Sequence, residues 1–206
     1  MYQIDRKTVY IITAILLFLT LYNLATFNLV ATLLTLPGVI LAMSFHEFAH
    51  AFVADRLGDS TPRNQGRLTL DPLKHIDPVG MFLLIFAHMG WGKPVQINPN
   101  NFSKMSKEKG EALVALAGPV MNFILAFIFA LIYCAIIKFA KITFITTTVG
   151  SVIMTMVAYI ITMNIGLGVF NLIPLPPLDG SKIFLPILPR GAKTWFIENE
   201  RIFYII

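Results

Sequence analysis

Charge is what this sequence has least of. Asp, Glu, Lys and Arg make up 13% of its 206 residues, about half the ~25% usual for a soluble domain. Too few charges remain to give a water-soluble globule its polar skin. Cysteine is nearly absent too: Cys134 stands alone, so no intrachain disulfide can form and the redox compartment stays open. No internal repeat or low-complexity linker occurs, and the apolar content excludes disorder and collagen. What is present is hydrophobic: 56% of residues, seventeen Phe among them, with a mean hydropathy of +0.74. This is the composition of an integral membrane protein.

A spanning helix needs ~20 mostly apolar residues. From Thr8 to Phe45 no acidic, basic or histidine residue occurs in 38 positions, nearly enough for two crossings. Pro37-Gly38 marks the expected break. The pattern predicts one helix over roughly 8–30, retained as an anchor because its apolar run far exceeds the ~7–15 residues of a signal peptide, and a second over 37–57. Further uncharged runs predict helices over 110–138 and 149–172, with a Pro-broken exit at Leu172–Leu178. The apolar piece Pro78–Trp91 is short for a span and holds His88, which predicts a re-entrant or interfacial segment. Gly92–Pro99 alternates enough for a short strand, so the 60–105 region is expected to carry a re-entrant or β-hairpin element. The apolar end, Ile202–Ile206, is expected to begin a further helix near 195–206. The expected fold is a single all-α, membrane-embedded domain over 1–206, a polytopic bundle of about four to five transmembrane helices.

Orientation follows from the basic residues. Two precede the first helix, eight lie in 55–111, two in the link Lys138–Lys141 and four in the tail. With odd-numbered helices running outward, fourteen of the sixteen lie on the cytosolic side, a strong positive-inside bias. These charges would face anionic headgroups, which accounts for a pI near 9.4 without nucleic acid.

Two imidazoles and a carboxylate stand where lipid-facing residues should be, in Ser44-Phe45-His46-Glu47-Phe48-Ala49-His50. A charge at the bilayer centre costs ~2.5–3.5 kcal/mol on insertion scales, so such groups persist where they face a cavity and act there. In HExxH on a helix, the two His share one face a turn apart and reach one tetrahedral Zn²⁺. Glu at i+1 is not a ligand but lies where it can take a proton from the reacting water. The bland alternative is a polar cluster that glues helices, for which a buried Glu is a poor choice. A catalytic zinc site wants a third protein ligand. Asp71, His75, Asp77, His88 and Asp179 are the candidates; Asp179 stands out because it ends an uncharged run of 37 residues in the irregular Asn171–Gly180 (NLIPLPPLDG).

His46-Glu47-Phe48-Ala49-His50 followed by NLIPLPPLDG resembles the site-2 protease family of intramembrane zinc metalloproteases, peptidase family M50. The stretches Gly66–Gly80, Trp91–Pro99 and Ala117–Asn122 resemble its compact bacterial branch without a PDZ domain, and the likeness covers roughly 35–190. The resemblance implies zinc held by His46, His50 and Asp179, with Glu47 as general base and no other cofactor. It implies a multi-pass cell-membrane endopeptidase whose substrates are membrane-anchored proteins cut within or near their transmembrane segments. An anti-sigma factor or a remnant signal peptide is that type of substrate. The lipid bilayer is then a partner, nucleic acid is not, and a homo-oligomer stays open. A further carboxy-terminal helix is also implied.

Other residues carry weaker expectations. Asn122, in GPxxN, is a candidate donor to a substrate carbonyl or oxyanion; the alternative is an interhelical hydrogen bond beside Gly118. Asn164 and Asn171 are expected to cap or glue the fourth helix, His75 and Asp77 to order their loop, His88 to lie at the interface, and Cys134 to pack. Gly92–Pro99 is either a surface hairpin or an edge to which an extended substrate adds as a strand. Two competing functions remain. A divalent-metal transporter would need more than one layer of acidic or His residues, and a catalytically inactive homologue is opposed by the intact Glu47.

Overall fold

The computed structural model describes residues 28–87 and 91–198, with Ala14 and Phe18. The chain divides into two compact units, one of Met1–Leu33 with Asp77–Gly92 and one of Leu34–Ile76 with Lys93–Ile206. The helix expected at 8–30 and the end of the one expected near 195–206 fall outside the described residues, as does His88.

The described residues form helices and no β-strand. Three helices are long and apolar enough to cross a membrane: α1 (Leu29–Leu57), α5 (Lys107–Phe139) and α7 (Thr148–Asn171). Shorter helices lie between them: α2 (Thr61–Asn64), α3 (Pro72–His75), α4 (Pro78–Ala87) and α6 (Ile142–Ile145). Helices α8 (Asp179–Phe184) and α9 (Arg190–Glu198) follow α7, and single 3₁₀ turns form at Pro99–Asn101 and Leu185–Ile187. The long helices expose large apolar side chains, with Phe127 66%, Ile137 54% and Val149 64% accessible. That is the surface of helices solvated by hydrocarbon rather than water.

Several expectations meet a different structure. The break at Pro37-Gly38 does not form, because α1 starts at Leu29 and runs through Pro37. Asn28 sets the start instead: its Oδ1 accepts the Ala31 N–H at 3.0 Å. Gly38 serves packing, since a Cβ there would lie 3.0 Å from the Tyr159 carbonyl oxygen of α7. Among the described residues, the 60–105 region holds no strand, only isolated bridge residues at Ile76 and Gly92. Lys93–Asn98 is extended, but its groups bond to other partners: Lys93 N donates to His75 O at 2.8 Å, Val95 N to the Glu47 carboxylate, and Asn98 N to Asp59. Cys134 is exposed on α5 rather than packed.

The end of α1 is built to stop. Gly58 takes φ +111°, Asp59 N donates to Ala54 O at 3.0 Å and Gly58 N to Asp55 O at 3.1 Å, the paired bonds of a Schellman cap. Directly after it, the fully buried Asp59 gathers the loop region. Its carboxylate accepts from Thr61 Oγ1 (2.6 Å), Thr61 N (3.1 Å), Asn98 N (2.6 Å) and Asn101 Nδ2 (2.9 Å). Burial pushes this carboxyl up, but those hydrogen bonds outweigh it and hold it below the usual carboxylate range. Beside it, Ala54, Leu57 and Val114 form a small core with Ile97, Phe102 and Met105. The loop is thereby fixed to both α1 and α5.

Candidate metal centre

HExxH lies on α1, where helical spacing puts both imidazoles on one face, their centroids 4.6 Å apart. Both rings are oriented from behind. His46 Nδ1 lies 2.7 Å from Asn122 Oδ1, and His50 Nδ1 lies 2.7 Å from the Val114 carbonyl oxygen, both on α5. A carbonyl oxygen can only accept, so each ring carries a proton on Nδ1 and turns its Nε2 forward.

Both Nε2 atoms meet a carboxylate. Asp179 Oδ2 is 3.0 Å from His46 Nε2 and 3.2 Å from His50 Nε2. Asp179 arrives from the far end of the chain. After α7 the Pro-rich segment turns through Leu175 N to Ile173 O and Leu178 N to Leu175 O, and Asp179 opens α8. Gly180 permits this by close approach: a Cβ would lie 2.3 Å from Ile173 O and 2.4 Å from Leu172 O. An unusual glycine dihedral is not involved, because positive φ occurs at Gly58 and Gly66, not here.

The donor set fits zinc. His46, His50 and Asp179 offer ligand atoms within 4.8 Å of one another, the grouping found among the described residues. Asp179 Oδ2 is buried, and its near neighbours are the two imidazole Nε2 atoms. Two neutral imidazoles and a carboxylate converging in a buried site repel one another unless a proton or a metal cation lies among them. Two imidazoles and a carboxylate are also an accepted catalytic zinc set.

Gly118 of α5 presses on the rings. A Cβ there would lie 2.5 Å from His46 Cε1 and 2.6 Å from His50 Nε2. Asn122 sits one turn further along and is fully buried. Its Nδ2 donates to Ala42 O at 2.9 Å and to Asn164 Oδ1 at 3.0 Å. Both amide hydrogens are therefore used, and the expectation that Asn122 donates to an oxyanion is corrected: its side chain orients His46.

Glu47 faces a cavity of about 180 Å³ walled by His46, His50, Asp179, Pro94, Val95 and Ile97, with Glu111 and Lys182 also lining it. Its Oε2 accepts the Val95 N–H at 2.8 Å. The other ligand candidates among the described residues lie in structural roles. Asp71 caps α3 through Leu73 N, Asp77 accepts from Val79 N and Gly80 N, and His75 is buried with Nε2 2.8 Å from Thr69 O. Sequence reasoning missed the Val114 carbonyl, the Val95 N–H and the part of Asn164. Only Asn164 had a signal, as an amide within an apolar helix.

Comparison with known proteins agrees. Over 170 residues the chain is 38% identical to the "Putative zinc metalloprotease YwhC" of Bacillus subtilis, covering 82% of this chain and 75% of that one. It is 32% identical over 176 residues to the "Putative zinc metalloprotease Rip2" of Mycolicibacterium smegmatis, covering 79% and 63%. The Mycobacterium tuberculosis "Putative zinc metalloprotease Rip2" is 30% identical over 159 residues, covering 75% and 57%. The chain thus spans less than two thirds of the Rip2 proteins. No solved structure matches it. The profile of peptidase family M50 matches residues 34–205, and the chain therefore belongs to that family, the site-2 proteases its paired motifs resemble.

Proposed function

We propose that this chain is a multi-pass membrane zinc endopeptidase that cuts peptide bonds within or near the transmembrane segments of membrane-anchored substrates. The observation that carries the reading is the convergence of His46 Nε2, His50 Nε2 and Asp179 Oδ2 beside Glu47 in one cavity. Family membership supports it. His46, His50 and Asp179 would hold the zinc, which supplies Lewis-acid polarisation and lowers the pKa of water toward ~7.

The chain's own residues do the rest. Val95 N–H holds Glu47 by Oε2, leaving Oε1 to accept the proton of the attacking water and return it to the departing amine. Asn122 and the Val114 carbonyl keep both imidazoles in the ligating tautomer. The extended Lys93–Asn98 stretch, with Pro94, Val95 and Ile97 in the cavity wall, suits a substrate main chain laid alongside it. The excess of basic residues on this side supports a cytosolic position for this end of the helices. By family resemblance, substrates are of the anti-sigma factor or remnant signal peptide type.

The test separates binding from chemistry. Glu47→Gln should keep zinc and lose at least 10²-fold in cleavage of a transmembrane peptide, the lower range for a general base. Asp179→Ala should lose zinc and cleavage together. Wild-type cleavage by Glu47→Gln, or full zinc content in Asp179→Ala, would overturn the assignment.

A further inference from the structure

The zinc site is oriented through a relay that reaches, by way of Asn122, a residue on a third helix. The relay starts at the Ile160 carbonyl of α7, which accepts from Asn164 Nδ2 at 2.8 Å. Because a carbonyl cannot donate, this contact fixes which way the Asn164 amide faces and turns its Oδ1 toward Asn122. Asn122 Nδ2 then finds two acceptors, Asn164 Oδ1 at 3.0 Å and Ala42 O at 2.9 Å. Its Oδ1 is left for His46 Nδ1 at 2.7 Å. Both asparagines are fully buried and His46 is 5% exposed, so solvent does not substitute for any partner.

An asparagine amide has two faces of nearly equal shape and opposite polarity. With Asn122 turned over, its NH₂ would face His46 Nδ1, the ring proton would move to Nε2, and that nitrogen could no longer bind a metal. The turned amide would also set its oxygen against both Ala42 O and Asn164 Oδ1. We propose that Asn164 is a positioning residue of the metal centre: through Asn122 it sets the His46 tautomer that leaves Nε2 free for zinc. The inference rests on reading His46 as a zinc ligand and extends that reading to a third helix.

Loss of an outer partner of a ligating histidine weakens metal binding roughly 10- to 100-fold. Ala42 O still holds Asn122 when Asn164 is gone, so the lower end, about tenfold, is expected. The full chain would be purified in detergent micelles and its zinc affinity measured by competition with a chromophoric chelator. ¹⁵N shifts of the imidazoles after chelation would report the tautomer. Asn164→Leu should bind zinc about tenfold more weakly and show Nε2–H at His46. Asn164→Asp keeps an acceptor toward Asn122 and should hold the wild-type tautomer. In an Asn122→Asp background both side-chain oxygens accept, so adding Asn164→Leu should cause no further loss.

Wild-type affinity and tautomer in Asn164→Leu would overturn the proposal. So would an equal tenfold loss in the Asn122→Asp background, which would mark Asn164 as helix packing alone, or a shifted tautomer in Asn164→Asp. Failure of the underlying reading looks different, because His46→Ala would then retain zinc.

Discussion

Gly118 offers the sharpest test of the metal centre, because it touches both imidazoles and carries no chemistry of its own. A Cβ added there would lie 2.5 Å from His46 Cε1, 2.7 Å from His46 Nε2 and 2.6 Å from His50 Nε2. Ordinary carbon contacts begin near ~3.5 Å, so the rings and α5 must separate by about 1 Å. The rings cannot absorb this alone, since their Nδ1 atoms are tied to Asn122 and Val114 on the same helix that carries the new methyl. Moving α5 breaks those bonds, and moving the rings spoils their approach to Asp179. Overpacking of this kind costs about 1–3 kcal/mol, while Ala in place of a helical Gly returns about 1 kcal/mol. Fold stability should therefore change little. Zinc affinity should fall by at least tenfold, and cleavage by about 10²-fold, the effect of a 1 Å misplacement at a reacting centre.

The assay compares zinc content, thermal unfolding in micelles and cleavage of a transmembrane peptide. Gly168→Ala is the control. Its Cβ would have the Phe123 ring, at 3.2 Å, and the Asn122 Cβ, at 3.4 Å, as its nearest neighbours, so a small shift of Phe123 accommodates it and zinc should stay bound. Gly118→Ala with full zinc and wild-type cleavage would refute the packing argument, as would an equal zinc loss in both variants.

Gly180→Ala, whose methyl would enter the Ile173 and Leu172 carbonyls at 2.3 and 2.4 Å, should displace Asp179 and lower zinc content; retained zinc would show that the turn has slack. Asp59→Asn leaves one acceptor oxygen for donors that now share two, and should lower unfolding stability by about 1–3 kcal/mol at pH 7. Because the native Asp59 pKa is lowered, its contribution is complete above the unfolded value near ~3.9 and is lost as pH falls through the native one. The wild type and Asp59→Asn should then converge in acid, and a difference constant from pH 7 to pH 2 would sink the account. With Cys134 replaced by Ser, new cysteines near Arg67 and Lys104 should react with impermeant reagents only from the cytosolic side, and those near Lys141 only from outside; the reverse pattern would invert the proposed orientation.

The His46, His50 and Asp179 cluster was legible in the sequence because its residue types and spacing carry chemistry. His46 and His50 are one helical turn apart by arithmetic, and a lone carboxylate at the end of a long uncharged run needs a cationic partner. Helices α5 and α7 were legible for a similar reason, since uncharged runs of that length have one solution in hydrocarbon. Pro37 misled because proline ends helices in water, whereas neighbouring helices can re-satisfy the freed backbone group in a membrane. The Gly92–Pro99 stretch was legible only as extended chain, because alternation fixes which side chains share a face, not what the backbone bonds to. Its N–H groups at Val95 and Asn98 go to carboxylates rather than to a neighbouring strand.

The orienting groups were illegible for a deeper reason. His50 is held by a main-chain carbonyl, which every residue possesses, and Glu47 by a main-chain N–H. Neither leaves a mark in a sequence. Asn122 did leave one, yet an asparagine can donate or accept, and the choice depends on how α1, α5 and α7 are rotated about their axes. Only that rotation brings Ala42 O and Asn164 Oδ1 to the same amide hydrogens and turns Asn122 from an expected donor into the acceptor behind His46. Chemistry fixed by residue type is readable from spacing; chemistry fixed by which face of a two-faced group is turned inward has to be read from packing.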